Sequence, residues 1–342
     1  MPAVRVTARD NGTEGRCTIV FGDARTQKLI YGAWMSRDLI SPALEAINAE
    51  TVTAFDWLAA KLDRRKPVTF VPNPGNIGDA AINLACFDYL TSRFDKVEIC
   101  SIAETPRTEC VFVGGGGNAV QPFYVALRDF LDQLGPDRRL YMFPATIKGY
   151  AKSLRRVAPI ARILCRESTS LAYVARQIGT ENVSLAHDAA FLLAPRLRND
   201  FADRIGKATT AKCRSFRTDR ESIHWKLGGN DIMAEHHSNW TNMAVARDLV
   251  WTVANYLLEF DEVETDRLHC AILAAILERR TILRANSYYK NAAVFTYSLS
   301  RLSNAEFQPS TLRHRVRHYW SFSGLRRRSR WFHSVPPLKP TP

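Results

Sequence analysis

Between Val68 and Ala186 the chain alternates short apolar runs with segments of helical period, and this alternation limits the fold more than any other feature. The apolar runs are Val68–Val71, Lys96–Ser101, Cys110–Val113, Leu140–Phe143, Arg162–Cys165 and Val183–Ala186. Helical patterns lie between most of them, at Ala80–Arg93, Val120–Leu134, Ala151–Val157 and Ser168–Ile178. Strands this short and this apolar are buried on both faces, so the pattern predicts a parallel, doubly wound α/β sheet. Ligands on such sheets bind outside the carboxyl ends of the strands.

After Leu193 the pattern breaks. Residues 195–211, headed by Pro195, are mostly polar and read as a linker. A second alternating unit follows, with strands Lys212–Arg217, Asp261–Glu264 and Thr281–Arg284, and helices Asn242–Phe260 and Cys270–Glu278. The expected organisation is an N-terminal extension (1–65) carrying a helix at Leu44–Leu62, a first Rossmann-like domain (66–194) and the linker. A second Rossmann-like domain (212–299) and a basic, aromatic tail (300–342) complete it.

The strand ends hold the unusual residues. Gly75-Asn76-Ile77-Gly78-Asp79 follows the first strand, and Gly114–Gly117 with Asn118 follows the third. A glycine-bearing turn into a helix exposes unpaired N–H groups at the positive end of the helix dipole, which suits an anion. Neither loop is a nucleotide fingerprint: there is no G-x-x-x-x-G-K-[ST], and no acid ends the strand after Gly114–Gly117. Arg166-Glu167 follows Cys165, His187-Asp188 follows Ala186, and Thr265-Asp266-Arg267-Leu268-His269 follows Glu264. A guanidinium fork grips carboxylate or phosphate at two points. A histidine beside one can give a proton to an anionic substrate. Glu235-His236-His237 reads as a solvated loop rather than a metal set, and no G-x-S-x-G elbow is present.

Composition narrows the classes. No apolar run reaches the roughly 18 residues of a membrane helix, and the N-terminus lacks the apolar core of a secretory signal. The seven cysteines are odd in number and form no Cys-x-x-Cys pair, which fits reduced thiols in the cytoplasm. The net charge is +13, and from Arg301 onward nine Lys or Arg face one acid, Glu306. Such a tail fits an anionic neighbour; a membrane face at the inner leaflet is the expectation, nucleic acid is not, and a merely solvated tail is the alternative.

Taken in order, Asn76-Ile77-Gly78-Asp79, Gly114–Gly117, Arg166-Glu167, Asp188 with Phe191, Thr265–His269 and Tyr288-x-Lys290 resemble the polysaccharide pyruvyl transferase family, over roughly Lys66 to Asn291. The segment Phe216–Glu221 resembles the opening of that family's second half. The resemblance implies a GT-B-like fold, two Rossmann-like domains facing a cleft. It implies transfer of a pyruvyl group from phosphoenolpyruvate onto two hydroxyls of a free or lipid-linked saccharide, giving a cyclic ketal during cell-surface polysaccharide synthesis. No metal and no cofactor beyond that donor substrate is expected. His269 is then the candidate acid, with Asp79 and Asp188 as bases or orienters. Arg166, Arg267, Leu268, Asn76, Gly78, Gly115, Gly116, Gly117, Asn118 and Lys290 are the candidate substrate-binding residues. Two other classes share some of these features: a GT-B-type glycosyltransferase using a nucleotide-sugar, and a non-catalytic protein held to an anionic surface by its tail.

Overall fold

The computed structural model describes residues 18–20, 41–121, 124–207, 210–219, 221–224 and 230–309. The tail beyond 309, on which the surface-binding expectation rests, lies outside the described residues. The first sheet carries eight strands: β1 (Thr18–Val20), β2 (Val68–Val71), β4 (Lys96–Ile99), β5 (Cys110–Val113), β6 (Gly116–Val120), β7 (Arg139–Lys148), β8 (Ala161–Cys165) and β9 (Val183–Leu185). They run in the order β1-β4-β2-β5-β7-β8-β9, with β6 paired to β7. Every pairing is parallel except β1 with β4. The second sheet is wholly parallel, in the order β10 (Thr210–Ser215), β12 (Phe260–Thr265), β13 (Arg280–Arg284), β14 (Ala305–Gln308). A two-residue pairing of β3 (Gly75–Asn76) with β11 (His237–Ser238) ties the first glycine loop to the chain ahead of β12.

Helices α1 (Pro42–Ala59), α2 (Ile77–Arg93), α3 (Ala126–Gln133), α4 (Ala151–Val157), α5 (Ser168–Ile178) and α6 (Ala194–Asp200) accompany the first sheet. Helices α7 (Met243–Leu257), α8 (Leu268–Ile276) and α9 (Lys290–Tyr297) accompany the second. The α2 helix is buried along most of its length, and the apolar core that contains it runs continuously to α7 and α8. From α1, Phe55 packs on Phe143 and Tyr89.

Three local expectations change. Pro144 does not end its strand: β7 runs ten residues to Lys148, with the irregularity between Met142 and Ala145 absorbing the missing donor. The prolonged β7 gives the glycine run an edge to pair with, so Gly116–Val120 is a strand and the helix expected at Val120 starts at Ala126. The stretch read as a linker begins with α6. Pro195 sits in its first turn, where a missing N–H is harmless, and Leu197 is fully buried. The second sheet also extends past residue 299, where the sequence reading began the tail, because β14 pairs with β13.

Candidate active site

The arginines follow one rule. Arg166 succeeds β8, Arg217 stands two residues past β10 and Arg267 stands two residues past β12. All three line a cavity of about 30 Å³ together with Asn76, Asp79, Gly117, Asn118, Tyr124, Glu221, Met233, Leu268, His269 and Lys290. Asn76, Asp79, Asn118, Tyr124, Arg217 and Arg267 also line a larger cavity of about 480 Å³, whose other wall includes Ile102, Val125, Ala126 and Leu127.

Arg166 is fully buried. Its Nε donates to Thr146 Oγ1 at 2.9 Å and its Nη1 to Asp188 Oδ2 at 2.5 Å. His269 Nε2 lies 3.3 Å from the same Nη1 and 3.4 Å from Asp188 Oδ2. Asp188 is also fully buried and does not line the cavity. Burial alone would raise its carboxyl, but the charges of His269 and Arg166 and their hydrogen bonds hold it well below the usual range. A carboxylate so held orients Arg166 and His269, one of the two roles open to Asp188.

Arg267 donates from Nε to Asp231 Oδ1 (2.8 Å) and from Nη2 to Asp231 Oδ2 (2.5 Å), and Nη2 also meets Asp219 at 3.1 Å. Arg217 grips Asp219 in the same two-pronged way, at 2.9 Å from both Nε and Nη2. Arg217 also gives Nη1 to Glu221 at 3.3 Å, so all three of its guanidinium nitrogens face carboxylates. Of the two forks expected to hold the ligand, that of Arg267 is taken by a protein carboxylate, whereas Arg166 gives one nitrogen to Thr146 and one to Asp188.

The two glycine loops are used differently. At the start of α2, the Asn76 side chain accepts from Gly78 N (2.7 Å), Asp79 Oδ2 accepts from Asn76 N (3.0 Å), and Met233 O accepts from Ile77 N (3.0 Å). The capping box has already satisfied the donors that a phosphate would need. Gly78 has a different use: a Cβ there would collide with His269 Nδ1, so the glycine admits the imidazole. Gly115 lines neither cavity, and its carbonyl accepts from Asn73 at 2.6 Å. Gly116 takes φ +106°, a backbone turn that aims Gly117 and Asn118 at the cavity. Asp79 lines both cavities; burial raises its carboxyl, opposed by the charge of His269 and its bond to Asn76 N.

Lys290, at the start of α9, is buried and donates to Glu221 Oε2 at 2.6 Å. Burial lowers its ammonium to about 8, with Glu221 opposing that fall. Arg217, Glu221 and Tyr124 were not among the candidate site residues, although the first two lie in the Phe216–Glu221 segment noted above. Inspecting the end of Lys212–Arg217 as the other strand ends were inspected would have found Arg217. Tyr124 gave no signal, because its partner Glu221 is 97 residues away.

The family model for "Polysaccharide pyruvyl transferase" matches residues 76–288, more than half of the chain. The chain belongs to that family. The match begins at Asn76 and takes in Arg166, Asp188, Arg217 and Thr265–His269. The protein named "Putative pyruvyl transferase EpsO" from Bacillus subtilis (strain 168) is 25% identical over 227 residues, 53% of this chain. That stretch is 66% of the relative, just under two thirds of its length. A crystal structure of an uncharacterized protein from Klebsiella pneumoniae subsp. pneumoniae matches with a TM-score of 0.66 and 28% identity, covering 76% of this chain and 99% of that one. Among the described residues, no helix is long and apolar enough to cross a membrane.

Proposed function

We propose that the protein moves a pyruvyl group from phosphoenolpyruvate onto two hydroxyls of a saccharide, forming a cyclic ketal on a cell-surface polysaccharide or its lipid-linked precursor. The observation that carries this reading is the convergence of Arg166, Arg217, Arg267, Lys290 and His269 on one small cavity that opens beside a larger one. The donor bears a phosphate and a carboxylate and needs several cationic anchors. The larger cavity, with a mixed polar and apolar wall, is then the place for the sugar. The presence of two mainly parallel sheets supports reading them as the two halves of a GT-B-like arrangement.

In this scheme His269 protonates the donor's methylene carbon, and the carbon bearing the phosphate becomes an oxocarbenium-like centre. Asp188, 3.4 Å from Nε2, is the counter-ion of the charged ring. One sugar hydroxyl attacks the centre. Phosphate then departs toward the cations, and a second hydroxyl closes the ketal. Asp79 borders both cavities and is the candidate to accept the hydroxyl proton, its carboxyl raised by burial toward a useful basicity.

Phosphate release from phosphoenolpyruvate across a panel of free and lipid-linked saccharides tests the reading. Saccharide-dependent release is expected. Thermal stabilisation by nucleotide-sugars, with none by phosphoenolpyruvate and no release, would replace it with a glycosyl transfer.

A further inference from the structure

Glu221 joins three walls of the small cavity. It lies past β10, it is 3% exposed, and its carboxylate accepts from Tyr124 Oη (2.9 Å) and Lys290 Nζ (2.6 Å) while pairing with Arg217 Nη1 (3.3 Å). Asn286 Nδ2 approaches the same oxygen as Lys290, at 3.4 Å. Tyr124 comes from the chain after β6, and Lys290 opens α9.

We propose that Glu221 is the positioning residue that holds Lys290 and Arg217 as cations aimed at the donor anion, with Tyr124 fixing the carboxylate from the opposite side. The proposal rests on reading the small cavity as the donor site. Its physics is that of a buried charge balance. Lys290 faces Glu221 and Arg217 from the second sheet's first loop, Arg166 from β8, Asp79 from α2, and the ring of Tyr288 at 5.1 Å from its own segment. The two arginines and burial push the ammonium toward its neutral form, and Glu221 opposes them at contact distance. The Glu221 carboxyl is itself kept ionised: burial would raise it, but Lys290 and Arg217 hold it well below the usual range. Without that carboxylate, Lys290 loses both its aim and much of its charge near neutral pH.

Calorimetric titration of phosphoenolpyruvate between pH 6 and 9.5 tests this in wild type, Glu221→Gln, Glu221→Asp and Lys290→Arg. Wild-type affinity should fall as pH rises through about 8, where Lys290 gives up its proton. In Glu221→Gln that alkaline fall should begin about one unit or more lower, since a contacting opposite charge is worth about 1–3 units. Glu221→Asp, one methylene short, should move it in the same direction by less, and is the variant to read if the glutamine form does not fold. Lys290→Arg should abolish the fall. A purely structural Glu221 would weaken binding equally at every pH. An unmoved fall in a folded Glu221 variant, or a fall that persists in Lys290→Arg, would overturn the assignment. Inorganic phosphate in the same titration separates this from the donor reading. Phosphate binding that follows Glu221 without any phosphoenolpyruvate binding supports the assignment and sinks the donor.

Discussion

A methyl group on Gly78 would collide with His269 Nδ1, although the two residues are far apart in sequence and come from different sheets' helices. Gly78→Ala should therefore displace the imidazole from its place against Asp188 and Arg166. An error of about 1 Å in a catalytic group is worth about 10²-fold in rate. Turnover should fall by that order while the melting temperature holds or rises, because alanine favours a helix over glycine by about 1 kcal/mol. His269→Ala should cost more, about 10²–10⁴-fold. Wild-type turnover in Gly78→Ala would mean that His269 is not positioned by this contact. A second residue governs stability. Asp266 is fully buried, accepts from Arg217 N and Ser222 Oγ, and is raised by burial to about 6. Its folded form therefore binds a proton more readily than its unfolded form, whose value is about 3.9. Between those values the native state gains protons first, so stability should rise as pH falls from 7 to 5, by about 1 kcal/mol from this group. Asp266→Asn should flatten that rise in thermal melts at the two pH values. An equal rise in both proteins would assign it elsewhere.

The elements were legible where burial made them so. β2, β5 and the core of β8 are apolar runs packed on both faces, and a sequence of that kind has few other uses. The glycine-rich β6 was invisible, because its residues have turn propensity and it pairs only because β7 continues past Pro144. The site was half legible. Arg166, Arg267 and His269 stand at strand ends where chemistry is expected, whereas the capping of α2 and the Tyr124–Glu221 bond depend on tertiary approach. Ala305–Gln308 shows the same limit: lying before a basic stretch, it reads as tail. It is instead the edge strand of the second sheet, with Phe307 against Phe295 and Leu302 buried ahead of it. Arg301 also pairs with Glu50 of α1. A chain ended at residue 300 should lose these contacts, about 1.5–3 kcal/mol for each large apolar side chain, and melt several degrees lower. A chain ended at residue 308 should melt with the full-length protein. Equal melting of both truncations would show that β14 adds nothing to the sheet.

At the scale of the whole molecule, charge is the outstanding feature. Beyond Gln308 the sequence holds eight Lys or Arg and no acid, with Trp320, Phe322, Trp331 and Phe332 among them. The β14 strand ends at Gln308, so a cut there removes the basic segment without entering the sheet. Each basic residue near an anionic leaflet contributes on the order of 1 kcal/mol, and tryptophan settles at the headgroup level. An acceptor carried on lipid would be brought within reach by such a segment. The full-length chain is therefore expected to co-sediment with phosphatidylserine vesicles at low salt and to be released at high salt, as screening shortens the reach of exposed charges. The chain ended at 308 should stay in the supernatant at both salts while keeping its turnover on a water-soluble saccharide. Vesicle binding by the truncated chain, or binding of the full-length chain that ignores salt, would sink electrostatic recruitment by the tail. Loss of turnover on the soluble acceptor would instead make the tail part of the catalytic unit.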